Sequence, residues 1–172
     1  MTALQSRKRA SALQKLALTD YLTGVPNRAQ FELISAAEMA HAVRSGNPYS
    51  LFCMDLDGFK QINDRFGHAA GDQVLCEVAR RLAQTLRQGD MLARLGGDEF
   101  AVVARDCKQD AALIIAQRFA EACRLPIALV DGKQVMVGIS VGTATSSPDV
   151  IDPGELLHQA DRALYAIKHA SP

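Results

Sequence analysis

Arg94-Leu95-Gly96-Gly97-Asp98-Glu99-Phe100 lies between a short apolar run, Met91 to Leu95, and a longer one, Phe100 to Ala104. Two apolar runs joined through paired glycines predict a tight β-hairpin, because glycine supplies the positive φ that a two-residue turn requires. The acids that follow are unusual for a structural turn. Asp98 and Glu99 are adjacent carboxylates, which repel each other unless a cation or a set of donors lies between them. By itself the hairpin reads better as a solvated acidic turn, so its meaning depends on what the rest of the chain brings to it.

Upstream, Tyr49 to Leu56 reads as a strand that is apolar on both faces, as in a central strand covered from each side. It ends in Asp55-Leu56-Asp57, where strand alternation puts both aspartates on one face and Leu56 on the other. Before it, Asn27 is a predicted N-cap for a helix running to about Ser45, which Gly46-Asn47-Pro48 terminates. After it, Gly58 to Asp72 reads as a short helical turn and a glycine-punctuated polar loop. A long helix then buries Val74, Leu75, Val78, Ala79, Leu82 and Leu86. Beyond the hairpin come a helix over Gln109 to Arg124 and two apolar runs, Ile127 to Val130 and Val135 to Ala144, with Asp131-Gly132 as their turn. A last helix from Glu155 to about His169 directs Leu156, Leu157, Ala160, Leu164 and Ile167 inward. The order α-β-α-β-β-α-β-β-α suggests a mixed sheet with helices packed over it. Residues 1–17 form a predicted connector helix with a basic cluster, Arg7-Lys8-Arg9, and a narrow apolar seam. Residues 18–172 form the domain.

At 172 residues the chain suits one domain with one sizeable core. Its 48% hydrophobic and 22% charged residues are those of an ordinary soluble globular protein. Lys plus Arg and Asp plus Glu number 19 each, so no overall field draws in nucleic acid or anionic lipid. No apolar run approaches the ~20 residues of a membrane span, and no secretory h-region is present. Cys53, Cys76, Cys107 and Cys123 are scattered without a Cys-x-x-Cys pair, which predicts free buried thiols in a reducing cytoplasm.

Asp55 and Asp98 come together if their strands are neighbours. Two carboxylates with a backbone carbonyl and waters make a hard-oxygen site for Mg²⁺, completed by phosphate. The Gly58-Phe59-Lys60 turn offers backbone N–H groups and an ammonium to a phosphate. A carboxylate at Asp72 can accept from guanine N1–H and its exocyclic amine together, and an amide at Asn63 can satisfy remaining edge groups, a pairing adenine does not offer. Taken singly, Asn63 also reads as a helix cap and Asp72 as the N-cap of the helix starting at Gln73.

Together these stretches resemble the GGDEF-domain diguanylate cyclase family, whose motif stands here as Gly96-Gly97-Asp98-Glu99-Phe100. Asp20-x-Leu22-Thr23-Gly24-x-Pro26-Asn27-Arg28, Asp55-Leu56-Asp57-x-Phe59-Lys60-x-x-Asn63-Asp64, Gly67-His68-x-x-Gly71-Asp72 and Ala160-Asp161-x-Ala163-Leu164-Tyr165 extend the match from about residue 17 to 168. The resemblance implies an α+β fold, ferredoxin-like and similar to nucleotidyl cyclases and polymerase palms, with a mostly antiparallel central sheet covered by helices. It implies condensation of two GTP into cyclic di-GMP between two facing copies of the domain. By motif position, Asp55, the Leu56 carbonyl and Asp98 would hold Mg²⁺, with Mn²⁺ as a substitute. Asp98, Glu99 and Lys60 would act in catalysis. Phe59, Lys60, Asn63, His68, Asp72, Gly96, Gly97 and Lys168 would bind substrate. Arg87 and Asp90, in the family's Arg-x-x-Asp spacing, and Arg118 would bind product as inhibitor.

The resemblance also implies sensor or phosphodiesterase domains elsewhere in a longer cytoplasmic protein, which membrane attachment of the parent would not contradict. No nucleic-acid or membrane contact is expected of this segment. The chain departs from the family at its end, where His169-Ala170-Ser171-Pro172 stands in place of a Gly-Arg-Asn segment, and at Ile167, where alanine is usual. A non-catalytic module that binds GTP or cyclic di-GMP beside a phosphodiesterase is the alternative. A haloacid-dehalogenase-like phosphatase, suggested by the apolar-Asp-Leu-Asp-Gly run, fails because Phe59 stands at the usual Thr/Val position and no later Asp-Asp pair follows.

Overall fold

A computed structural model describes residues 17–170. The expected connector helix lies, but for its last residue, outside them. In chain order the elements are α1 (Arg28–Ser45), β1 (Ser50–Asp57), α2 (Phe59–Phe66), α3 (His68–Thr85), β2 (Met91–Gly96), β3 (Glu99–Ala104), α4 (Gln109–Cys123), β4 (Ile127–Ala128), β5 (Gln134–Val135), β6 (Gly138–Thr145) and α5 (Pro153–Ala170).

β1 is central in a four-stranded sheet of order β2-β3-β1-β6. Every pairing in it is antiparallel, so the mixed sheet suggested by element order gives way to an α+β antiparallel one. The hairpin makes β3 antiparallel to β2, and β1 then lies antiparallel to both β3 and β6. Alternation along β1 feeds two cores. Phe52, Met54 and Leu56 face α3 and α4, while Leu51 and Cys53 face α1 and α5, with Phe31, Met39, Leu156 and Ala160. Asp55 continues the second series and therefore points toward the α5 side.

Asn27 caps α1 as expected, its side chain accepting from the Gln30 amide, and Gly46 ends the helix at φ 73°. The polar loop expected over 58–72 is instead two helices broken only at Gly67. Gly71 lies inside α3 and so does not punctuate a loop, and Asp72 is an interior helical residue, not an N-cap. The run Val135 to Ala144 is also divided. β5 pairs with β4 in a separate two-stranded sheet, and β6 joins the main sheet.

At Gly142 in β6, an added Cβ would overlap the Leu164 amide nitrogen and the Ala160 carbonyl and lie 2.7 Å from Leu164 Cα. α5 thus packs backbone to backbone on the sheet. Its buried residues are Leu156 and Ala160, with Leu157 and Leu164 partly covered. Ile167, expected inward, is 45% exposed, while its neighbour Lys168 is the residue that reaches β1, at Asp55. Cys76 is likewise exposed, whereas the other three cysteines are buried as expected. Burial pushes the Cys123 thiol up to about 11.

Candidate active site

The hairpin turn itself is Gly97-Asp98, one residue later than the glycine pair. Gly96 pairs with Glu99 after a register shift that follows Arg94. Gly96 has φ 141° and Gly97 φ 53°, and no atom lies within 4 Å of a Cβ built on either. Their glycine character therefore answers to backbone conformation, and it leaves an open surface in front of the turn.

Arg94 holds this turn from behind. Its Nε and Nη2 donate to the Gly97 carbonyl at 2.9 and 2.7 Å, and Nη1 donates to both Asp20 oxygens at 3.1 and 3.2 Å. Asp20 also accepts from the Thr23 amide at 2.9 Å and hydroxyl at 2.6 Å. Burial pushes the Asp20 carboxyl up, but the Thr23 and Arg94 donors outweigh it and leave the group below its ordinary range. Arg28, at the start of α1, donates Nε to the Leu95 carbonyl at 3.3 Å and lies 3.9 Å from Glu99, with both side chains about half exposed. The roles of Asp20, Arg28 and Arg94 were not legible beforehand. The signal lay in the Asp20-x-Leu22-Thr23-Gly24 turn chemistry, but its partner is 74 residues away.

β1 and β3 bring the predicted acids together. Asp55 is paired with Glu99 in register, and the Leu56 amide donates to the Asp98 carbonyl at 3.3 Å. The Leu56 side chain is buried on the opposite face, so only its backbone could serve a metal. Burial raises the Asp98 carboxyl above its ordinary range, and the negative charge of Asp55 raises it further. The Lys168 ammonium, from the last turn of α5, is ion-paired to Asp55 Oδ1. A divalent cation fits this donor set: two crowded carboxylates are already drawing a positive charge. Among the described residues no group of three His, Cys, Asp or Glu side chains could hold a metal. The Asp55–Asp98 pair would therefore need further oxygens from backbone, water and phosphate. Asp57 is engaged elsewhere, accepting from the Ser140 hydroxyl at 2.8 Å.

Phe59 and Lys60 open α2 after Gly58 at φ 75°. Phe59 packs partly against the main core, and Lys60 is exposed. Asn63 is half-buried, while His68 and Asp72 are exposed at the start of α3. Asp72 borders an open cleft of about 740 Å³ with Leu22, Gln73 and Cys76.

The second predicted constellation stands apart from the turn. Arg87 Nε lies 3.2 Å from Asp90 Oδ1, and its Nη2 donates to the Arg105 carbonyl. Arg118 Nη2, from α4, donates to the Thr85 carbonyl at 2.9 Å. These groups gather at the C-terminal end of α3 and the start of β2, and the acidic turn lies at the other end of that six-residue strand, roughly 20 Å away.

The sequence pattern described as "Diguanylate cyclase, GGDEF domain" matches residues 17–171. Diguanylate cyclase TpbB of Pseudomonas aeruginosa is 42% identical over 154 residues, which cover 87% of this chain and 34% of that protein. A solved structure of its GGDEF domain alone superposes with a TM-score of 0.85 at 41% identity, covering 89% of this chain and 90% of that one. The coiled coil and GGDEF domain of DgcB from Caulobacter crescentus, solved in complex with c-di-GMP, has a TM-score of 0.88 at 26% identity, with 97% and 88% covered. Cyclic di-GMP phosphodiesterase NbdA of P. aeruginosa is 37% identical over 158 residues, 92% of this chain and 20% of that protein. The chain spans between a third and about two-fifths of the length of the first curated relatives it matches. With the acidic hairpin, the Asp55 strand end and the helices beside them in this arrangement, the chain belongs to the GGDEF-domain diguanylate cyclase family.

Proposed function

We propose that this domain condenses two GTP molecules into cyclic di-GMP and releases pyrophosphate. The observation that carries the reading is that Asp55, at the end of β1, and Asp98, in the turn beside it, lie close enough for the charge of one to raise the carboxyl of the other, with Lys168 ion-paired to Asp55. Mg²⁺, or Mn²⁺ in its place, held by Asp55, the Leu56 carbonyl and Asp98, would neutralise phosphate charge and lower the pKa of the attacking hydroxyl. Asp98 accepts the proton of the 3′-hydroxyl as general base. Glu99 assists as an auxiliary acid whose position Arg28 biases.

The Gly58-Phe59-Lys60 backbone and the Lys60 ammonium cradle phosphate, and Lys60 steadies the charge that develops on it. Lys168 exchanges Asp55 for a phosphate oxygen when substrate arrives. Asp72 accepts from guanine N1–H and the exocyclic amine, Asn63 meets the remaining edge, and His68 lies beside the nucleotide. Gly96 and Gly97 leave room for the nucleotide in front of the turn. One domain holds one GTP, so the reaction needs a second copy facing it.

Product inhibition belongs to Arg87, Asp90 and Arg118. Their guanidinium forks suit phosphate and guanine edges, and binding there would hold two copies in an unproductive arrangement. In the longer cytoplasmic protein, a sensor or phosphodiesterase domain would govern how the copies meet. No helix among the described residues is long and apolar enough to cross a membrane.

The second reading, a module that binds GTP or cyclic di-GMP and regulates a phosphodiesterase, is favoured by the likeness to NbdA, which carries that enzyme's name. Asp98→Ala separates the roles. It should abolish cyclic di-GMP synthesis while calorimetry still detects product binding at Arg87. Loss of both together contradicts two separate sites, and absence of synthesis in the unmutated domain with GTP binding retained favours the regulatory module.

A further inference from the structure

Gly71 stands in the first turns of α3 with a helical backbone, where glycine is disfavoured relative to alanine. No turn, cap or positive φ explains it. The reason is the approach of α2. A Cβ on Gly71 would overlap Asn63 Oδ1, fall 3.0 Å from Asn63 Cγ and meet Phe59 Cζ at 3.2 Å. The Asn63 amide oxygen therefore lies against the backbone of α3, at the residue before Asp72. The Phe59 ring closes the same contact from the previous turn of α2.

We propose that Gly71 is a positioning residue for base recognition: the absence of its side chain fixes the Asn63 amide beside Asp72 and so sets the guanine-reading edge. The inference rests on the assignment of Asn63 and Asp72 to guanine. Asn63 spans the distance between the two helices only because nothing stands on Gly71. With alanine there, the amide must rotate away or α2 must lift from α3, and in either case its hydrogen-bonding atoms leave the place they hold against α3, one residue before Asp72. Gly71 touches no substrate and acts only through Asn63.

The test is calorimetric binding of the α,β-methylene analogue of GTP, with the corresponding ATP analogue as comparison, both with Mg²⁺. The proteins are the unmutated domain, Gly71→Ala, Asn63→Ala and the double variant. Gly71→Ala is expected to weaken the guanine analogue about tenfold, the order of one lost base hydrogen bond, and to leave the weak binding of the adenine analogue unchanged. Asn63→Ala is expected to do the same, and the double variant is expected to bind no more weakly than Asn63→Ala, because the clash has lost its target.

A Gly71→Ala protein that binds like the unmutated one, while Asn63→Ala is impaired, overturns this inference alone. A double variant weaker than Asn63→Ala by the full Gly71→Ala effect also overturns it, since Gly71 would then act through another group. Unchanged binding in Asn63→Ala overturns the guanine assignment itself and the inference with it. If Gly71→Ala does not fold but the double variant does, the clash with Asn63 is supported. If neither folds, glycine serves helix packing and the inference fails.

Discussion

Replacing Arg94 with alanine removes the guanidinium that joins the residue 19–27 turn to the hairpin. The two donors to the Gly97 carbonyl and the one nitrogen that donates to both Asp20 oxygens are lost together. The side chains of Arg94 and Asp20 are 10% and 14% exposed, so this pair is far better shielded than a surface ion pair. Full removal of one partner from a buried pair costs about 3–5 kcal/mol. Asp20 keeps both Thr23 donors, however, so its charge is not left unsatisfied. The expected loss is therefore about 2–3 kcal/mol, of which roughly 1–2 kcal/mol is the Arg94–Asp20 coupling.

With a urea m-value of about 2–3 kcal/mol/M, the unfolding midpoint should fall by about 1 M. Arg94→Lys should restore little, because one ammonium cannot span the carboxylate and the carbonyl as a planar fork does. Synthesis should fall more than stability at assay temperature implies, because the freed Gly97 carbonyl belongs to the turn that carries Asp98. The assay is a double-mutant cycle with Asp20→Ala by urea unfolding. Additive losses, within about 0.5 kcal/mol, would refute the claim that these two residues act as one clamp.

Three further perturbations probe other contacts. Gly142→Ala places a methyl into the backbone of α5, which cannot yield as a side chain can, so a stability loss of about 3 kcal/mol or more in urea unfolding is expected. Lys168→Met removes the cation on Asp55; Mn²⁺ binding to the nucleotide-free domain, read by calorimetry, should tighten about threefold to tenfold while GTP binding weakens. The Asp20 carboxyl is held below its ordinary value of 3.8, so its contribution is fully present above that pH and is lost as pH falls through the depressed value. The urea-midpoint gap between the unmutated domain and Asp20→Asn should therefore be widest above pH 5 and narrow toward pH 3.

Sequence alone located what depends on local chemistry. The glycine pair and flanking apolar runs marked the hairpin, Asn27 marked the start of α1, and the Asp55-Leu56-Asp57 alternation placed the acids on one face. It failed where a residue answers to a distant partner. Gly71 looked like loop punctuation because glycine in a polar stretch usually is. Its actual requirement, the Asn63 amide lying against it, depends on how two helices pack. The alternative reading of Asp72 as an N-cap fails because the helix already begins at His68. Ile167 satisfies the helical period, but the period alone does not tell which residue of the last turn meets the sheet, and there it is Lys168, at Asp55. Asp20 and Arg94 each belonged to a recognisable motif, yet their contact arises only when β2 is laid beside the residue 19–27 turn.

The central claim is that two copies of this domain, each with an Asp55–Asp98 site, join two GTP molecules. The most direct measurement is the initial rate of cyclic di-GMP formation from GTP and Mg²⁺ across a series of protein concentrations. Product should form, at a rate that rises with the square of protein concentration while the domain is mostly monomeric, and Asp98→Ala should form none. No cyclic di-GMP at any protein concentration, or synthesis undiminished in Asp98→Ala, would contradict it.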